Sequence, residues 1–369
     1  MLNRLGIQCL HYGTISKTED RSSTLLTVIH RQLPESPSYS PGTDMPVGTS
    51  FLPAILRPQY TWPAPAVTFP SQTTPPVPYV PSKTTRRFWG FIHKALGHFS
   101  GLYCSWFSID SDPHIFQLPF GLVLKWTNRT SLGEVAAMQM ARAAGIPTPT
   151  VLSCGEHPGD FRKISILMTR LPGITLVNSD DPLEVEVEEP WLHELKSPPS
   201  HDLISSPIGT ELRSSRIPDH VMGPFDIDKG LYDHLVYPVS DYAFKSEADF
   251  QKTLGTANRL RRQRYTTKLT HGDFKAHNIL VSDGGHLAGL LDWESGGWYP
   301  EYREFTTAMR FGKDSWWYQV ASWMGGNQYL EELEADEALN NLTVDCILHS
   351  NGLLQLASHV PWVIGNNPF

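Results

Sequence analysis

His271, Asp273, Asn278, Asp292 and Glu294 crowd into one stretch, LTHGDFKAHNILVSDGGHLAGLLDWE, whose remainder is apolar enough to be buried. Gly284-Gly285, flanked by Asp283 and His286 and lying between Ile279-Leu280-Val281 and the run Leu287 to Leu291, reads as a two-residue hairpin turn. Stepping back five residues on each side of such a turn sets Asn278 opposite Leu291, so that Asn278 and Asp292 meet at the open end. An amide oxygen and a carboxylate at one strand end suit Mg²⁺, a hard ion that takes oxygen ligands and keeps waters and phosphate oxygens for its remaining positions. Asp273, five residues before Asn278, is held near the same point without being a ligand. Its carboxylate can take a proton from an attacking hydroxyl. Each residue alone has an ordinary role as a cap, a turn residue or a strand end. At this spacing, together, they read as a site.

The elements that must position these groups are legible in outline. Lys125 closes the apolar run Gly121 to Leu124, where a buried ammonium requires a partner. Glu134 is the candidate, nine residues on, in the first turn of a helix started by Ser131 and stopped at Gly145. Ser131-Leu132-Gly133-Glu134 also matches a capping box, in which the glutamate simply closes the helix start. Upstream, apolar residues from Phe88 to Phe99 recur at helical spacing. "LYCSWFSI" and "FGLVLKW" read as strands separated by Asp110 to Pro113, and "KISILMTRLPG" as a strand ending at Pro172-Gly173. Together they predict a small α+β lobe over 86–172. Beyond an irregular, Ser/Pro-rich stretch, a helix is expected from Ser246 to about Arg264, and several more follow the metal-binding motif. The lobe over 173–369 is therefore expected to be mostly helical.

The whole chain bounds the function. Its 369 residues carry a net charge of -8, which argues against a nucleic-acid footprint, and Arg259 to Arg264 reads as a solvated helix face. No apolar run approaches the roughly 18 residues of a membrane span. A cytoplasmic setting is the expectation. The four cysteines are scattered, with no zinc or redox spacing, and read as reduced, packed thiols. Residues 1–85 are proline-rich, especially from Pro34 to Pro81, and are expected to be a largely disordered extension. Phe51, Leu52, Ile55, Leu56 and Trp62 leave open partial packing or a partner-binding motif there.

The motifs His271-Gly272-Asp273 with Asn278, and Asp292-Trp293-Glu294 after the next strand, resemble those of the aminoglycoside phosphotransferase and choline kinase-like family over roughly 86–369. The resemblance implies a two-lobed, protein-kinase-like α+β fold that transfers phosphate from Mg²⁺-bound ATP to a hydroxyl of a small molecule. By that likeness Asp273 orients or deprotonates the acceptor, Asn278 and Asp292 hold magnesium, and His271 braces the loop. Lys275 matches a lysine that meets the transferred phosphoryl group in protein kinases, or is solvated. Glu294 supports a second metal or bonds the loop. Lys125, held by Glu134, meets the α- and β-phosphates, and backbone groups near Met168, Thr169 and Arg170 meet the adenine.

The chain departs from the pattern at three places. No G-x-G-x-x-G precedes Lys125, and the expected hairpin at Ser108 to Pro113 carries two acids, which implies weak nucleotide affinity. Pro190, Pro198 and Pro199 break the stretch after the lobe connection, and the front extension has no counterpart. Asp292-Trp293-Glu294 in place of Asp-Phe-Gly, with no Ala-Pro-Glu downstream, sets the chain apart from protein kinases. Trp298, Tyr299 and Glu301 either line the acceptor pocket or belong to the core. The competing readings are a non-catalytic kinase-like binding module and transfer to a protein hydroxyl.

Overall fold

The computed structural model describes residues 52–63, 74–178, 203–214, 221–226, 228–237, 239, 241, 244–282, 286–310 and 312–350. It has a β-rich N-terminal lobe and a largely helical C-terminal lobe, an α+β arrangement.

The N-terminal lobe starts with helix α1 (Lys83–Phe107), whose first turn is capped by Ser82 Oγ accepting from Thr85 N–H. This helix is longer than its sequence suggests. The run "LYCSWF", expected as a strand, forms its last turns and ends at Ser108, which is left-handed at φ 53°. Aromatic and β-prone residues are overruled there by the apolar face of α1: Tyr103 and Cys104 are buried, and Leu96 and Phe99 pack on the sheet core of Leu118, Leu124 and Leu167.

That sheet is antiparallel throughout and is built from β1 (Ile115–Leu118), β2 (Leu122–Lys125), β3 (Val151–Glu156) and β4 (Ile164–Thr169) in the order β1-β2-β4-β3. Between β2 and β3 lies α2 (Leu132–Ala143), whose Val135 packs with Cys154 and Ile166. Helix α1 approaches β3 closely enough that a Cβ on Gly90 would stand 2.3 Å from the Glu156 carbonyl oxygen. At this seam His93 is buried, with Nδ1 2.6 Å from Ser165 Oγ and Nε2 2.9 Å from Ser153 Oγ.

Residues 52–62, expected to belong to a disordered extension, pack on this lobe. Phe120 N–H donates to Ile55 O (2.7 Å), Tyr103 Oη to Leu56 O (3.0 Å), and Trp62 N–H to Arg170 O (2.9 Å). Backbone bonds to the lobe hold the segment, and Trp62 adds an Nε1–H bond to Phe120 O. The remainder of the expected extension up to 51, and 64–73, lies outside the described residues, as do Pro190, Pro198 and Pro199.

The C-terminal lobe opens with β5 (Ile174–Thr175), which pairs with β9 (Ile279–Val281), and continues through the short strands β6 (Leu212–Arg213) and β7 (Val221–Met222). Helices α3 (Asp228–Val236), α4 (Glu247–Ala257) and α5 (Arg259–Arg262) follow; Ser246 caps α4, as its position before the apolar periodicity requires. Strand β8 (Thr267–Thr270) runs antiparallel to β11 (Gly297–Pro300), and β9 pairs with β10 (Leu287–Leu290) between them in sequence. Helices α6 (Arg303–Met309), α7 (Trp316–Trp323) and α8 (Leu330–Ser350) complete the lobe. Leu231, Leu235, Leu260, Tyr302, Ala335 and Leu339 meet in its core. Trp298 and Tyr299 are buried in β11, Tyr299 Oη donating to Ser295 O, so both belong to the core of the lobe; Glu301 pairs with Lys268 at 3.5 Å.

Candidate active site

The hairpin carries the site as the two-residue turn predicts at one end and differs at the other. Ile279 faces Leu290, Leu280 faces Gly289, and Leu291 N–H donates to Asn278 O at 2.8 Å. Nearer the turn an irregularity lets Val281 face Leu287, a one-residue shift that β10 absorbs. Residues 283–285 lie outside the described residues. The strand end that matters is therefore in the expected register, with Asp292 following directly at φ 59°.

Before the hairpin, β8 delivers the loop His271 to Lys275. Gly272 holds φ 80° at a point where a Cβ would lie 2.4 Å from Ser295 O, so only glycine fits both the backbone and the space. His271 is fully buried. Burial lowers its pKa, and the neutral ring then has one donor and one acceptor. Its Nε2–H donates to Leu291 O at 2.7 Å, leaving Nδ1 to accept Asp273 N–H at 3.3 Å. One imidazole thus ties the loop of Asp273 to the strand end of Asp292, with Trp293 packed edge-on against it at 4.6 Å. Asn278 Nδ2 donates to Asp273 O (2.9 Å) and Oδ2 (3.3 Å), which aims the Asp273 carboxylate toward the same strand end. Lys275 Nζ stands 2.5 Å from Asp273 Oδ1.

From the other lobe, β2 presents Lys125. Its Nζ lies 2.7 Å from Glu134 Oε1 and 2.5 Å from Asp292 Oδ1. Burial alone would lower the ammonium pKa; the two carboxylates overcome it and hold the lysine above its ordinary range, so it stays charged. Burial pushes Asp292 up as well, but Lys125 outweighs it and keeps the carboxyl below the usual range. Glu134 is pushed up to about 7, first by burial, with its Oε2 buried and unpartnered among the described residues.

Glu134 is the partner of Lys125, and the capping-box reading is half right. Ser131 Oγ accepts Glu134 N–H at 3.1 Å, the first half of a capping box, while the Glu134 carboxylate turns away to Lys125.

Two site residues escaped the sequence reading. Glu304, in α6, accepts His271 N–H at 2.5 Å and Gly272 N–H at 3.3 Å, and is pushed up to about 8, chiefly by burial. Arg129, in the loop after β2, pairs with Glu294. Neither has a motif, because both act on groups distant in the chain. The only trace of Glu304 is an acid amid apolar helix residues.

The expected adenine segment is heavily bonded within the chain. Met168 sits in the sheet between Val123 and Val151, Thr169 N–H donates to Thr150 O, and Arg170 uses its N–H on Gly121 O and its carbonyl on Trp62 N–H. For Arg170 this departs from the expectation, because the segment ending at Trp62 already covers its carbonyl. The expected phosphate hairpin is absent too: Ser108 ends α1, and Asp112 Oδ1 accepts His114 N–H (2.5 Å) and Ile115 N–H (2.9 Å) to start β1.

The donor set fits magnesium in kind. Asn278 and Asp292 offer hard oxygens and leave positions for phosphate oxygens and water. Among the described residues no cluster of three His, Cys, Asp or Glu forms an all-protein metal cage, and Glu294 turns to Arg129.

Residues 223–339 match the family described as phosphotransferase enzyme family, a span holding Asp273, Asn278 and Asp292 but neither Lys125 nor Glu134. No curated protein matches. Among solved structures, the chain is similar to a thermostable variant of aminoglycoside phosphotransferase APH(4)-Ia, in ternary complex with ADP and hygromycin B, at 13% identity and TM-score 0.44, covering 69% of this chain and 92% of that one. It is also similar to the GDP and kanamycin complex of APH(2")-IIia, at 12% identity and TM-score 0.43, over 69% and 96% of the two chains. An aminoglycoside-3'-phosphotransferase of type VIII shares 16% identity at TM-score 0.39, over 63% and 91%.

Proposed function

We propose, for a chain that is aminoglycoside phosphotransferase-like, that it transfers the γ-phosphoryl group of ATP to a hydroxyl of a small molecule with magnesium. The observation that carries this reading is Lys125 bonded at once to Glu134 and Asp292, with Asp273 and Asn278 on the loop beside Asp292. A buried lysine between two acids costs desolvation. Its use is as a fixed cation for phosphate oxygens.

In this mechanism Lys125 binds the α- and β-phosphates while Glu134 keeps its ammonium in place. Asp273 accepts the acceptor's hydroxyl proton; the hydroxyl oxygen bonds to the γ-phosphorus as the bridging P–O bond to ADP breaks. Lys275, paired with Asp273, would meet the transferred group. His271 and Glu304 hold the loop through its backbone, so that positioning rather than covalent chemistry supplies the rate. Asn278 and Asp292 would hold magnesium, and the metal would supply charge neutralisation at the phosphates when bound. Met168 and Thr169 stay the expected neighbours of the base, through groups other than those bonded in the sheet.

The occupied Arg170 backbone favours the second reading, a kinase-like module without turnover that binds partners through its proline-rich front. Both are separated by ADP release from Mg-ATP with a pooled small-metabolite extract, beside Asp273→Asn. Acceptor-dependent turnover that falls about 10²–10⁴-fold in the variant supports the phosphotransferase. Absence of both turnover and magnesium-dependent ATP binding supports the module. Turnover only with protein fractions would move the acceptor to a protein hydroxyl.

A further inference from the structure

The three carboxylates facing the cleft are each met by a separate cation: Asp292 by Lys125, Asp273 by Lys275, and Glu294 by Arg129. The first two pairs belong to the reading above. The third does not, and it crosses between lobes. Arg129 sits in a four-residue loop locked by reciprocal bonds: Thr127 N–H to Thr130 Oγ1 (3.3 Å), Thr130 N–H to Thr127 Oγ1 (3.1 Å) and Arg129 N–H to Thr127 Oγ1 (3.0 Å). The loop follows Lys125 after one residue, Trp126. Glu294 lies in the turn Trp293–Ser295 that follows Asp292 directly. This ion pair is therefore a second tie, beside Lys125–Asp292, between the segment carrying the phosphate-binding lysine and the segment carrying the metal-binding aspartate.

The two ends are unequal: the Glu294 side chain is 9% exposed and the Arg129 side chain 57%. An exposed pair would hold little. A buried carboxylate deprived of its cation is costly, so the pair constrains the turn more than its surface location suggests.

We infer that Arg129 is a positioning residue that latches the N-terminal lobe to the Asp292 turn, and that Glu294 is its anchor instead of a metal ligand. This inference rests on the proposed phosphoryl transfer for its catalytic consequence only. The latch itself is a property of the nucleotide-free protein.

The test uses the full chain with Arg129→Glu, Glu294→Arg, the double reversal, and Arg129→Gln as a milder variant in case the reversals do not fold. Backbone hydrogen exchange at Trp293 to Gly296 is measured without nucleotide. Each single change is expected to speed exchange about tenfold, and the double reversal to restore it. Turnover and the KM for ATP are measured on the same proteins; the singles should lose turnover about tenfold or more, and the double reversal should recover to within about threefold. Unchanged exchange in Arg129→Gln and Arg129→Glu overturns the latch. Restored exchange without restored turnover keeps the latch but overturns the exclusion of Glu294 from the metal, since an arginine cannot hold one. If the unaltered protein shows no phosphoryl transfer under any condition, the proposed function falls while the exchange result still decides the latch.

Discussion

Single residues in this site are held by few bonds that each have one purpose. Lys125→Ala removes the cation shared by Glu134 and Asp292 and should lower kcat/KM for ATP about 10²–10³-fold, measured with the pooled small-metabolite extract as acceptor source. Asp292 is a more delicate case. At φ 59° it occupies the left-handed region, which Asn and Gly tolerate and most residues occupy at about 1 kcal/mol or more. Asp292→Asn and Asp292→Ala should therefore lose turnover alike, while only the alanine variant also loses thermal stability; equal Tm values would show that the turn is not strained by a Cβ-only side chain. These residues were legible because type and spacing alone expose them: a glycine between His271 and Asp273, an asparagine before an apolar strand, a lysine closing another. Arg129 and Glu304 were not. Their partners lie 165 and 33 residues away, and nothing local marks an arginine or a buried glutamate as part of a site.

At the scale of elements, α1 and its sheet carry two expectations. Gly90→Ala drives a Cβ against the Glu156 carbonyl, which as backbone in a strand cannot step aside; unfolding stability should drop by about 1–3 kcal/mol in urea titration, with the slope unchanged. The same seam sets a pH dependence. Burial lowers both His93 and His157 to about 4, and His157 Nε2 shares Ser165 Oγ with His93. An unfolded histidine titrates near its ordinary 6.5, so below that pH the unfolded state binds more protons than the folded one. The stability these neutral rings contribute is present above pH 6.5 and is lost as pH falls from 6.5 toward 4. Thermal scans should show Tm dropping by about 5 °C across that window. His157→Phe, which keeps an aromatic ring on Trp126, should flatten the slope. Why α1 was only partly foreseen is visible in "LYCSWF". Its residue types favour strands, and only the packing of Tyr103 and Cys104 under the lobe decides for a helix. Strand β3 was missed for the converse reason, since Ser153 and Gly155 dilute its apolar signal, although it pairs with the next strand, β4.

Over the whole molecule, the two-lobed α+β arrangement was readable from the order of apolar patterns, and the site from one stretch. The packing of residues 52–62 was not, because prolines between the apolar residues read as an open tail. Trp62 joins this segment to two places at once, its N–H on Arg170 O and its Nε1–H on Phe120 O at 2.9 Å. Trp62→Ala should lower Tm by about 2–4 °C and change the KM for ATP, with Leu52→Ala as an exposed-residue control; an unchanged Tm would mean the segment rests on the lobe without supporting it.

That segment also orders the events of synthesis. Residues 52–62 leave the ribosome well before Phe120 and Arg170, the backbone groups they bond, have been made. They bond groups on α1, on the β1–β2 connection and just past β4, all of which are made later. The segment therefore cannot complete its contacts until the rest of the lobe has been made, and a chaperone or a partner arriving early meets its backbone groups unpaired.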